Sequence, residues 1–343
     1  MGATLRQVAH EAGVSVATAS RAFTKPDLVG ERTRQRILDI AARLDYAPNL
    51  AARALNTGRT QSVGIVVPDL MNPFYPSIVT GARRRASALG YSLLIADSEE
   101  DPAAELPILE EMARKVDGIL LCSSRMGADS LARAQELGPL VLLNRRLAGV
   151  PSVSFDSTAA VQTAALHLRV MGHRRVAYVG GPASSTSNVE RRDRIGQFFP
   201  PQGLEVVQVG DFEPSVDGGR AAADGVLSAG ASAVLVYNDV MALGLMGRLI
   251  GYGLAIPRDL SVIGWDDIQF AELVSPALTT VRVPRERAGE EAMAYLDAVI
   301  RRGEPGEDRL LSTEFVFRST TGRARPNLAP ATPDADHPTK EST

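Results

Sequence analysis

From Ser62 onward the chain alternates short apolar runs with longer amphipathic ones, and this alternation constrains the fold more than any other feature. The runs SVGIVVP, YSLLIAD, DGILLCS, PLVLLN, VPSVSF, RRVAYVGG, SAVLVYND and LSVIGWDD have the length and β-branched content of strands. Helical patterns near 73–89, 102–114, 157–171, 214–228 and 240–252 separate most of them. Strands joined through helices pair in parallel, with helices on both faces of the sheet. Roughly 260 residues with about ten strands predict two lobes rather than one sheet. Ligands of such sheets sit outside the carboxyl ends of the strands, so residues just after each strand are the candidates. Two lobes can turn those ends toward each other across a cleft.

The motifs of nucleotide and acyl chemistry are missing. No strand is followed by G-x-G-x-x-G, and VGGPAS lacks the third glycine; G-x-x-x-x-G-K-[ST], G-x-S-x-G and C-x-x-C do not occur. That pattern describes a binder rather than an enzyme, so no catalytic residue and no cofactor are expected. Asp239, Asp266 and Asp267 are conceivable metal ligands. Carboxylates after strands more often accept hydrogen bonds from ligand hydroxyls, and no metal is expected.

The first 47 residues read differently. Leu5, Val8, Ala9 and Ala12 form one apolar helical stripe, Gly13 stops that helix, and Ser15 can cap the next. In the second helix Ala19, Ala22 and Phe23 face inward, while Ala17, Ser20, Arg21 and Thr24 form the opposite face. A third helix over about 31–45 places Ile37, Ile40, Ala41 and Leu44 inward. Three short helices with a glycine-containing turn describe a helix-turn-helix. A small, hydroxylic face around one arginine suits entry into the DNA major groove, where Arg can pair with guanine O6 and N7. The same face would also serve a solvated helix of a small bundle. Residues 48–61 follow as a short Ala-rich helix and linker, with Pro48 suited to its start and Gly58 to its end. So short a helix forms only when something holds it, which suits a hinge; a plain interdomain linker is the alternative.

Charge separates head from body. Residues 1–60 carry nine Lys and Arg against five Asp and Glu; residues 61–343 carry 28 against 35. A basic head on an acidic body places any polyanion at the head. No apolar run is long enough to span a bilayer, so no membrane partner is expected. The first residues lack the n- and h-regions of a secretory signal, and the chain is expected in the cytoplasm. One cysteine, Cys122, excludes an internal disulfide, and four scattered histidines make a zinc cluster improbable.

Three stretches, TLRQVAHEAGVSVATASRAF, ERTRQRILDIAARLDYAPNLAARAL and GIVVPDLMNPFYPSIVTGA, resemble the lactose/galactose-repressor family of transcription regulators. VLLNRR, VSFDSTAA, MGHRRVAYVGGP, GDFEP, VYNDVMALG, IPRDLSVIGWDD and PALTTVRVP follow at family spacing, so the likeness runs from about Thr4 to about Arg318. The resemblance implies an all-α helix-turn-helix head on an α/β body of two doubly wound lobes, like periplasmic binding proteins, over 62–320. One lobe takes about 62–158 and 285–305, the other about 159–283 and 307–320. It further implies a homodimer on near-palindromic double-stranded DNA, acting as a repressor under allosteric control by a small carbohydrate effector. By position, Val16, Ala17 and Arg21 fall on base-reading places. Thr4, Ser15, Thr18 and Ser20 fall on phosphate-contacting places. Asn49 joins the DNA-binding set, and Leu55 matches the leucine that paired hinge helices push into the minor groove. The effector places fall on Phe74, Tyr75, Asn144 or Arg145, Arg194, Phe212, Asn238 and Asp266.

Several positions depart from the family pattern. ERRDRIGQFFPPQGLEVVQVGDF is shorter than the usual helix and connection, and Arg-x-x-Gly-Phe reads here as Arg194-Ile-Gly-Gln-Phe. Arg191 and Arg192 are therefore alternatives for the effector arginine. Gly30 replaces the usual serine cap of the third helix, and Trp265 the usual Phe or Tyr. The tail 321–343, rich in proline and polar residues, is expected to be disordered. A cytoplasmic sugar-binding protein without a DNA role is the alternative function.

Overall fold

The computed structural model describes residues 3–24, 26–46, 59–303 and 306–325, and the chain divides into two units, Met1–Gln61 and Ser62–Thr343. Asn49, Leu55 and nearly all of the expected hinge lie outside the described residues.

The first unit contains α1 (Leu5–Glu11), α2 (Val16–Thr24), a 3₁₀ turn at Pro26–Leu28 and α3 (Glu31–Arg43). Thr4 closes a capping box with Gln7 at the start of α1. The turn out of α1 needs Gly13 at φ +61°, a left-handed backbone that a Cβ disfavours. Ser15 Oγ accepts from the Thr18 amide at 3.1 Å and starts α2. Val8, Ala9, Ala19, Ala22, Ile37 and Ala41 bury the expected inner faces, and Phe23 packs on Tyr46 with ring centroids 5.8 Å apart. Arg43 pairs with Glu11, tying the end of α3 to α1.

The second unit is two parallel sheets. The first lobe runs β1 (Ser62–Val67), α4 (Phe74–Ala88), β2 (Ser92–Asp97), α5 (Pro102–Ala113), β3 (Ile119–Cys122), α6 (Ala128–Glu136), β4 (Leu140–Leu143) and β5 (Ser152–Asp156). The second lobe runs α7 (Thr158–Val170), β6 (Arg175–Gly180), α8 (Thr186–Phe198), β7 (Glu205–Asp211), α9 (Val216–Ala221), α10 (Ala223–Ser228), β8 (Ala233–Val236), α11 (Asp239–Gly251), β9 (Ser261–Ile263), α12 (Phe270–Leu273) and β10 (Thr280–Arg282). The chain then returns through α13 (Arg285–Arg302) and β11 (Arg309–Ser312) and crosses once more to β12 (Glu314–Val316). The sheet orders are β11-β5-β4-β3-β1-β2 and β7-β6-β8-β9, with β10 and β12 paired antiparallel. Helices α4 and α13 pack closely because Gly81 and Gly289 have no side chain. A Cβ on Gly81 would lie 1.9 Å from the Glu286 carbonyl oxygen, and one on Gly289 2.1 Å from that of Ile78.

Four sequence expectations change. Residues Arg309–Ser312, placed with the second lobe as part of 307–320, form β11 and pair in parallel with β5 of the first; the crossover falls at Thr313, whose amide donates to the Asp156 carbonyl. The helix expected over 214–228 breaks at Ala222 into α9 and α10. Strand β7 goes beyond the expected strands; it is an edge strand with no buried residue, only Val206, Val207 and Val209 being half-buried. The start of the tail is pinned: the Gly322 amide donates to Ser261 Oγ at 3.0 Å and that of Ala324 to the Met171 carbonyl at 2.9 Å. Among the described residues no helix is long and apolar enough to cross a membrane.

Candidate nucleic-acid interface and effector cleft

In the head, the outward side of α2 begins at its cap. Ser15, Val16, Ala17 and Arg21 are exposed, while Thr18 and Ser20 are half-buried. Val16 stands 44% exposed, an apolar side chain left in solvent on a helix whose other face is filled. The hydroxyls of Ser15 and Thr18 lie 2.9 Å apart, so both sit at the amino end of α2, where backbone N–H groups favour anions. Thr4 is exposed at the start of α1. The face is therefore small, hydroxylic and centred on one guanidinium, which suits close approach to a nucleic-acid groove.

In the body, the carboxyl ends of both sheets open onto one narrow cleft. Asn72, Phe74, Tyr75, Arg125 and Asn144 line it from the first lobe, and Arg191, Pro214, Tyr237, Asn238 and Asp266 from the second. Phe74 and Tyr75 begin α4 and meet edge to face at 5.1 Å. Asn144 holds φ +57° just after β4 and donates to Ser123 Oγ at 2.9 Å. Asn238 caps α11, its Oδ1 accepting from the Met241 amide at 2.8 Å.

Arg191 is the hub of the second wall. Its guanidinium lies between the rings of Tyr237 and Trp265, 4.6 and 4.5 Å from their centroids, donates to the Tyr237 carbonyl, and stands 3.5 Å from Asp266 Oδ1. Burial pushes the Asp266 carboxyl up to about 7, against the pull of Arg191 and Arg285. Asp266 also has φ +115°, a conformation that costs energy outside glycine and often marks a functional site.

The expected effector residues divide. Phe74, Tyr75, Asn144, Asn238 and Asp266 converge on the cleft. Arg194 does not: it donates to Thr158 Oγ1 and stands 3.5 Å from Asp156 Oδ1, at the crossover after β5. The reason is helical phase. Ser187, Asn188, Arg191 and Ile195 form the buried side of α8, so the cleft receives Arg191, one of the two alternatives; Arg192 turns to Asp211. Phe212 packs half-buried against the core of the second lobe. Arg145 lies beneath the loop after β3, donating to the carbonyls of Ser124 and Met126 at 3.2 and 3.0 Å.

Sequence reasoning missed Arg125, Tyr237 and Asn72. Each follows a strand end, which was the available signal. The three aspartates imagined as metal ligands are otherwise engaged. Asp239 accepts from Thr280 Oγ1 and the Ile268 amide, and Asp267 pairs with Arg282 and Arg318. Among the described residues no cluster of three or more His, Cys, Asp or Glu is placed to hold a metal.

Residues 4–49 match the family described as bacterial regulatory proteins, lacI family, and residues 165–321 match the periplasmic binding protein-like domain. The HTH-type transcriptional repressor CytR of Escherichia coli (strain K12) is 32% identical over 338 residues, covering 94% of this chain and 97% of that protein. The lac repressor dimer bound to operator and the anti-inducer ONPF superposes with a TM-score of 0.84 at 25% identity, over 94% of this chain and all of that one. The transcriptional regulator CelR in complex with cellobiose does so at 0.68 and 29% identity, over 93% and 99%.

Proposed function

Because the chain belongs to the lacI family of bacterial regulatory proteins, we propose that it is a sequence-specific DNA-binding repressor whose operator affinity is set by a sugar-class effector bound between its two lobes. The observation that carries this reading is the cleft, where polar and aromatic groups of both lobes converge in a chain that also bears a helix-turn-helix. Val16, Ala17 and Arg21 read base edges; Thr4, Ser15, Thr18 and Ser20 hold phosphates; Asn49 and Leu55 belong to the hinge that meets the minor groove.

The effector is held by Phe74, Tyr75, Asn144, Arg191, Asn238 and Asp266. A ligand that touches both lobes favours one lobe arrangement over another, and that difference in affinity is what couples the cleft to DNA. The protein acts as a homodimer in the cytoplasm, each head taking half of a near-palindromic site. The test is selection of the full-length chain from a randomised duplex pool, followed by titration of the enriched duplex with sugars. An enriched palindrome whose affinity shifts with a sugar supports the reading. An enriched duplex indifferent to every sugar sinks the effector half, and no enrichment sinks the DNA half.

A further inference from the structure

Asp267 follows the cleft residue Asp266 but lines no part of the cleft. Its carboxylate, 9% exposed, is held by two arginines: Arg282 Nε donates to Oδ2 and Arg318 Nη2 to Oδ1, each at 2.6 Å. A third, Arg285, donates from Nη2 to the Asp267 carbonyl, also at 2.6 Å. These arginines border the crossovers between the lobes. Arg282 ends β10, Arg285 begins α13, and only Val283 and Pro284 lie between them. Arg318 follows β12, whose first residue, Glu314, accepts from Arg282 Nη1 at 3.4 Å beside the crossover at Thr313. Helix α13 packs on α4, which begins with Phe74 and Tyr75 on the opposite wall of the cleft.

The backbone here is held in a costly conformation. Asp266 has φ +115° and Asp267 φ +55°, two consecutive positive-φ residues that both carry side chains. Such a conformation persists only where its surroundings over-determine it, and it collects at sites that bind or switch. The Asp239 amide donates to the Trp265 carbonyl at 2.7 Å, and Asp239 Oδ2 accepts from the Ile268 amide at 2.9 Å, which brackets the pair. The Asp266 amide donates to the Val281 carbonyl of β10 at 2.8 Å. The charge-assisted bonds to Asp267 complete the clamp. Asp259 supplies the contrast. It too pairs with two arginines, Arg258 and Arg325, but it precedes β9 where Asp267 follows that strand, and neither arginine borders a crossover.

Lobes joined in this way rearrange through φ/ψ changes in a few residues of their connections. A change at Val283 or Pro284 moves Arg282 against Arg285, and Asp267 is bonded to both. Asp267 then shifts, and Asp266, one peptide away, shifts with it. We propose that Asp267 is a positioning residue that touches no effector: clamped by Arg282, Arg285 and Arg318, it holds Asp266 at the cleft and passes a change there to the crossovers. This rests on the effector reading above and deepens it, by naming the tie through which the cleft acts on the lobe arrangement.

The test uses the full-length chain, its selected duplex, and whichever of ribose, glucose, galactose and cellobiose shifts the wild-type duplex midpoint most. Midpoints are compared without sugar and at saturating sugar, so that weaker sugar binding alone does not mimic lost coupling. Asp267→Asn keeps the side chain's shape and removes the charge that Arg282 and Arg318 share. The expected outcome is a shift of at least ~5-fold in the wild-type chain and less than ~2-fold in Asp267→Asn, with the sugar-free midpoint little changed. By linkage, the sugar affinities measured with and without duplex converge by the same factor. Asp259→Asn is the matched control: it also removes a carboxylate shared by two arginines, and it should lower the unfolding temperature while keeping the full shift. A full shift in Asp267→Asn, or an equal loss in Asp259→Asn, overturns the inference and leaves the effector reading standing. No shift in the wild-type chain with any of the four sugars overturns both. If Asp267→Asn does not fold, Arg285→Ala, which cuts the tie to α13 and spares the carboxylate, decides the matter by the same comparison.

Discussion

Arg191 and Asp266 Oδ1 meet 3.5 Å apart on the second wall of the cleft, with the guanidinium held between two aromatic rings and that oxygen accepting no hydrogen bond. The relationship sets the pH behaviour. Burial raises the Asp266 carboxyl to about 7, with Arg191 and Arg285 opposing. In the folded chain the group therefore holds a proton between its ordinary range near 4 and about 7, where the unfolded chain has lost it. Its contribution to stability falls as pH rises through that window. Ligand hydroxyls donating to the ionised form do the reverse for binding, so effector affinity should rise from pH 6 to pH 8 with release of a proton. Calorimetry in two buffers of different ionisation enthalpy measures this. Asp266→Asn should abolish the dependence and weaken binding by about 1–3 kcal/mol.

The helical phase of α8 separates two arginines that sequence alone leaves interchangeable. Arg191→Ala should cost effector binding about 2–5 kcal/mol, since it leaves Asp266 buried and unpaired. Arg194→Ala, at the Asp156 crossover, should leave effector affinity near the wild-type value. Equal losses in the two variants would contradict the assignment.

On α2, Arg21→Ala should relax selection at one base pair in each half-site, by about 1–3 kcal/mol per contact. Repeating the duplex selection with the variant reads this directly. A uniform loss across all sequences would make Arg21 a phosphate contact instead.

The close approach of α4 and α13 predicts a purely structural effect. Gly81→Ala forces a Cβ against the Glu286 carbonyl and should destabilise the body by about 1–3 kcal/mol in urea unfolding. The head's isolated stability should not change.

Much of this architecture could be read from the chain, because local patterns carry it. Gly13, Ser15 and the 3.6-residue stripe of Val8, Ala9, Ile37 and Ala41 need no tertiary information. What failed depends on packing. Strand β7 sits at a sheet edge, where neither face is fully buried and the apolar pattern weakens. Strand β11 belongs to the first lobe, against the expectation for 307–320, because pairing with β5 is a tertiary choice that RLLS does not encode locally. Arg191, Arg192 and Arg194 differ only in which side of α8 meets the cleft. Arg125 carries no motif at all; its significance appears only when Glu100, distant along the fold of its own lobe, lies against it.

The most direct test of the central claim is anisotropy titration of the selected duplex with the full-length chain, at increasing concentrations of the sugar that shifts its affinity most, beside Asp266→Asn. The account predicts that the sugar shifts the wild-type midpoint at least ~5-fold, the lower end of allosteric couplings, and leaves the Asp266→Asn midpoint in place. A midpoint that ignores the sugar in both proteins, or shifts equally in both, would contradict it.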